Sequence, residues 1–143
     1  MANYIVDASV VIEYLVTGPY TPNVRAFFNQ ITNADRLSVP EFCLLECTNV
    51  IWKQARFSGM SRTDTKELLR VLRTLKLRRA PMKQLLDRTL DIALNNMLAV
   101  YDSGYVALAL HYGCPLISID QSQIRAASVE GVMLIPIMSF KES

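Results

Sequence analysis

The chain has 143 residues, half of them apolar and a fifth charged. That balance excludes a disordered protein and suits one folded domain, residues 1–143, with a real core; no apolar run is long enough to predict a membrane span. The formal net charge of +2 hides a segregation, because residues 53–88 carry eleven Lys and Arg against three acids and the remainder carries four against ten.

Residues 3–7, NYIVD, read as a short buried strand, apolar and β-branched until the aspartate. Ser9 is a candidate cap for a helix over SVVIEYLVT that ends near Gly18 and Pro19. Thr21 followed by Pro22 predicts the start of another helix through NVRAFFNQIT. RLSV, residues 36–39, predicts a second strand. Pro40 then opens a long helix, PEFCLLECTNVIWKQARF, closed by Gly59.

Ser61 to Asp64 reads as the next helix start, with an acid near its positive end and a stripe of Leu68, Leu69, Val71, Leu72 and Leu75. Leu77 to Ala80 predicts a third strand. KQLLDRTLDIALNN is amphipathic, with Leu85, Leu86, Leu90, Ile92, Ala93 and Leu94 mostly on one side. DSGYVALALHY is a helix stopped by Gly113, CPLISID a strand, QSQIRAASVE a helix and VMLIPI a last strand. Strands alternating with helices, the best of them continuous apolar runs, predict an α/β fold with a mostly parallel sheet covered on both faces.

Sites in such sheets form outside the carboxyl ends of the strands. Asp7 and Asp120 each end a strand and precede a helix, so a parallel arrangement brings both to one edge. Glu46 lies among apolar helix neighbours and should face inward. Asp102 opens a helix, where an N-cap explains it by itself. Together the four make a nest of like charges that a cation would neutralise, and oxygen-only ligands suit Mg²⁺ or Mn²⁺. An acidic pocket beside a basic arm fits phosphodiester cleavage, although a solvated helix face also explains the arm.

The pieces IVDAS, ECTNV, YDSGYVALA and PLISIDQSQIRAA, in that order, resemble the PIN-domain nucleases, and most closely their VapC-type toxins. The resemblance covers nearly the whole chain. It implies a three-layer α/β/α fold and a Mg²⁺- or Mn²⁺-dependent endoribonuclease. It also implies a toxin inhibited by a cognate antitoxin, active on structured RNA and commonly a homodimer. By motif match Asp7, Glu46, Asp102 and Asp120 become the metal-binding acids, with Ser9 ordering the site. Asn49, one turn beyond Glu46, is added as support from its position alone. Many relatives carry a further acid after the fourth aspartate, where this chain has Gln121, Ser122 and Gln123, which puts a second metal in doubt.

Other chemistries find less support. Cys43, Cys47, Cys114 and the lone His111 do not make a zinc set, and the thiols read as core residues. There is no nucleophile elbow, P-loop or dinucleotide fingerprint. An aspartyl phosphatase would want an acid where Ser9 stands. Trp52 and Phe57 read as core or dimer contacts before base-stacking groups. Glu13 and Tyr14 are candidates for the site mouth, while Glu41, Asp87 and Asp91 read as surface acids and Arg78 and Arg79 as strand-edge charges. The odd cysteine count and the absence of a leader pattern in MANYIVD predict a cytoplasmic location. The rival from another class is a catalytically silent binding module of the same fold.

Overall fold

Ile5, Val6, Val39, Leu116 and Ile117 are fully buried, and Leu37 nearly so. Consecutive buried residues along a strand require cover on both faces, as in a parallel sheet. A computed structural model, which describes residues 2–142, has this arrangement. Its strands are β1 (Asn3–Val6), β2 (Arg36–Pro40), β3 (Leu77–Ala80) and β4 (Leu116–Ile117). All pair in parallel, in the order β3–β2–β1–β4, with Ile5 opposite Ser38 on one side and Leu116 on the other.

The connections are helical: α1 (Ala8–Leu15) and α2 (Thr21–Gln30), α3 (Cys43–Ser58) and α4 (Arg62–Thr74), α5 (Leu86–Asn96) and α6 (Val100–Tyr112), then α7 (Gln121–Val129). The first two crossovers step toward β3, and the third returns past β1 to β4. Right-handed crossovers therefore put α1–α4 on one face and α5 and α6 on the other, giving three layers. α6 lies across β1 and β2 with α5 and α7 beside it. The order reverses between β1 and β4, and a crevice opens at such a switch point.

Several boundaries differ from the sequence reading. Asp7, not Ser9, caps α1, accepting from the Ser9 N–H. Thr21 is already inside α2, because its hydroxyl is occupied by the Gly18 N–H and the Glu13 carbonyl. Pro40 closes β2 rather than opening α3, since the Glu41 N–H continues the pairing to the Ala80 carbonyl. Asp102 lies within the first turn of α6, which Ala99 caps. β4 stops at Ile117, beyond which the Ser9 and Ser118 hydroxyls take the N–H groups of Ile119 and Asp120. VMLIPI contributes one bridge, Leu134 to Leu116, and Pro136 supplies no donor to extend it.

Side-chain placement corrects the pattern too. Leu85, just before α5, and Ile92 and Ala93 on it are buried, but Leu86, Leu90 and Leu94 form an exposed row one turn apart. Trp52 and Phe57 are exposed, packed edge to face on each other with Arg56 over the Phe57 ring. Glu13 binds the Tyr20 N–H and steadies the α1–α2 turn instead of reaching the crevice. Cys43 and Cys47 are buried, as expected of core thiols.

Candidate active site

Asp7 leaves β1 at the switch point and is 3 % exposed. Its two oxygens have separate donors: Oδ2 accepts from the Ser9 N–H at 3.1 Å, and Oδ1 from Gln123 Nε2 at 3.0 Å. Burial nevertheless outweighs these bonds and raises its pKa above the ordinary carboxylate value. The Ser9 hydroxyl accepts from the Ile119 N–H at 3.2 Å, so this residue joins the ends of β1 and β4.

Glu46 sits in the first turn of α3, half-buried beneath the crevice. Its Oε1 accepts from the fully buried Tyr105 hydroxyl at 2.7 Å. Burial raises its pKa, the tyrosine bond opposes that, and the charges of Asp7 and Asp102 add to the rise. Asp102, on α6, is pushed up to about 6 by burial first and then by Asp7 and Asp120. Asp120 caps α7, its Oδ1 accepting from the N–H groups of Ser122 at 2.9 Å and Gln123 at 3.4 Å.

The four acids thus lie near enough to one crevice to disturb one another's charge. No cation answers them: the ion pair found among the described residues, Arg70 with Glu67, lies out on α4. Nor are any three His, Cys, Asp or Glu side chains among those residues grouped closely enough to hold a metal ion between them. The donor chemistry still fits Mg²⁺ or Mn²⁺, because such an ion takes one or two carboxylates directly and keeps water elsewhere. A zinc cage, which needs a full set of protein ligands, does not fit.

The Asn49 side chain is exposed and makes no hydrogen bond among the described residues, and the side chain that does bond Glu46 is Tyr105. Tyr105 and Gln123 also face the acids, and the sequence pattern does not single them out. The signal for each was its spacing, three residues beyond Asp102 and Asp120, which puts it on the same helix face. Neutral side chains at such positions look like core or surface residues until a partner is visible.

Comparisons with known proteins agree with this fold. A PIN domain family model matches residues 4–129. The chain is 29 % identical over 116 residues to the VapC ribonuclease Mb0985 of Mycobacterium bovis, covering 81 % of this chain and 84 % of that one. Among solved structures it is similar to PAE2754 from Pyrobaculum aerophilum, with a TM-score of 0.69 and 23 % identity over 96 % of this chain and 92 % of that one. It is also similar to a chain of a toxin–antitoxin complex from Klebsiella pneumoniae, with a TM-score of 0.53 and 13 % identity, covering 85 % and 89 % of the two chains.

Proposed function

Because the chain belongs to the PIN domain family, we propose that it is a divalent-cation-dependent endoribonuclease, the toxin of a toxin–antitoxin pair. The observation that carries this reading is the group of four carboxylates, Asp7, Glu46, Asp102 and Asp120, whose charges disturb one another and which have no ion-pair partner among the described residues. Mg²⁺ or Mn²⁺ held there would polarise a phosphodiester oxygen and make water a better nucleophile.

The chain's own groups do the positioning. One or two of the four carboxylates would hold the ion directly, and the others would orient the water that completes its shell. The Ser9 N–H keeps Asp7 Oδ2 in place, and the Tyr105 hydroxyl fixes one oxygen of Glu46. A cavity of about 560 Å³ beside β3 is lined by Arg36, Arg73, Lys76, Arg78 and Arg79. Asp35, the acid on its lining, is already engaged by the Ala2 and Thr32 N–H groups. These cations suit the RNA backbone. In this reading the partners are RNA and a cognate antitoxin, and the work is cytoplasmic. The exposed row of Leu86, Leu90 and Leu94 supports pairing with a second copy.

The test is Asp7→Asn, which keeps the side chain's shape and its capping oxygen while removing the charge. Cleavage of total RNA in Mn²⁺ or Mg²⁺ is expected for the wild type and lost in the variant and in excess EDTA. Full-rate cleavage by either would sink the reading. The lack of three donors grouped closely enough to hold an ion among the described residues favours one rival, the catalytically silent module. RNA binding without cleavage by the metal-loaded wild type would select that rival.

A further inference from the structure

Gln123 is fully buried in the first turn of α7, a position where an apolar side chain of its size would pack without penalty. Both hydrogens of its amide are used: Nε2 lies 3.0 Å from Asp7 Oδ1 and 3.0 Å from the Asp102 carbonyl. Its Oε1 is buried with no hydrogen-bond partner among the described residues. An orphaned buried carbonyl destabilises a fold. The opposite orientation of the amide would set its oxygen against a carboxylate and a carbonyl, so the donors must face the crevice.

We propose that Gln123 is a positioning residue for the carboxylate site, an amide clamp that ties the Asp7 side chain to the backbone of Asp102. This rests on the cation-site reading above. The clamp joins three of the four acids. Asp120 accepts from the Gln123 backbone N–H, Asp7 accepts from its side chain, and Asp102 accepts through its carbonyl. With Gln123 on Oδ1 and the Ser9 N–H on Oδ2, the Asp7 carboxylate cannot rotate, and each oxygen keeps lone pairs for an ion. The clamp also fixes the end of β1 against the start of α6. Groups that orient ligands in this way govern affinity without touching the ion.

Gln123→Met and Gln123→Leu remove the donors and the orphaned carbonyl together. Two quantities are read on each full-length protein: Mn²⁺ affinity by titration, and the unfolding midpoint of the metal-free protein. The inference expects Mn²⁺ to bind about 10- to 100-fold more weakly, a loss larger than any shift in the midpoint accounts for, since the orphaned carbonyl leaves with the two donors. It also expects kcat on RNA to fall with KM unchanged. Gln121→Met, on the exposed side of the same turn, should alter none of these. Wild-type Mn²⁺ affinity in both Gln123 variants would overturn the clamp and leave the cation site standing. So would a loss of binding that merely follows a fall in the midpoint, or failure of both variants to fold, since Gln123 would then be structural. A wild type that binds no Mn²⁺ would overturn the cation-site reading itself, and the clamp with it.

Discussion

At the scale of single residues, the site is a contest between burial and hydrogen bonding. Asp7 has donors on both oxygens and still has a raised pKa, because desolvation is the larger effect. Asp102 is raised to about 6, and Glu46 is raised as well. An acid whose folded pKa lies above its unfolded value leaves the folded state holding more protons between the two. Stability contributed by that group then falls as pH rises through the window. For Asp102 the window runs from about 4 to about 6. The metal-free protein should therefore unfold at a lower temperature at pH 7 than at pH 5. Asp102→Asn should flatten part of that slope, and millimolar Mn²⁺ should restore the midpoint at pH 7. Calorimetry across this range checks it, and a midpoint rising steadily from pH 5 to 7 in the metal-free wild type would contradict it.

At the scale of elements, two site acids are also helix caps. Asp120 holds the first turn of α7 through the Ser122 and Gln123 N–H groups. Asn caps as well as Asp, whereas Ala does not. Asp120→Asn should leave stability within a few tenths of a kcal/mol, and Asp120→Ala should cost about 1 kcal/mol, measured by urea unfolding. Equal losses in both would mean that charge, not capping, sets the stability there. The same double use explains what the sequence disclosed. Strand and helix order was legible because the apolar runs and Gly59, Ser61 and Gly113 punctuate it. The four acids stand out as candidates by their places beside apolar runs, Asp102 only in company with the other three, because a helix cap explains it alone. The cap of α1 was misassigned because Ser9 and Asp7 are both good caps, and only the backbone decides which is used. The row Leu86, Leu90 and Leu94 passed for core because a repeating apolar face does not say what covers it. Tyr105 and Gln123 stayed hidden because their roles exist only across long sequence separations, to Glu46 and Asp7.

At the scale of the molecule, charge is divided between two regions. The acids at the carboxyl edge of the sheet repel a polyanion, while the run from Lys53 to Arg88 attracts one. If the cavity beside β3 holds RNA backbone, affinity should fall linearly on a log scale with salt. Arg78→Gln and Arg79→Gln should each lower the slope by about 0.7 for a single strand. The loss should be similar for unrelated RNA sequences, because phosphate contacts carry no base identity. Fluorescence anisotropy with labelled RNA, in the Asp7→Asn background to prevent cleavage, measures it. An unchanged slope in both variants would remove these arginines from the RNA surface.

The capping role of Asp7 and Asp120 bears on how the gene can be silenced. Aspartate and asparagine codons differ by a single nucleotide, and asparagine still offers a capping oxygen to the helix that follows. One base change at the Asp120 codon can therefore remove that charge and spare the helix it caps, whereas at Asp7 the new amide nitrogen would face either the Ser9 N–H or the Gln123 amide. If Asp120 serves the proposed cation site, a cell under pressure to disarm this chain would have in that codon a short route to a folded protein that keeps its surfaces for a partner.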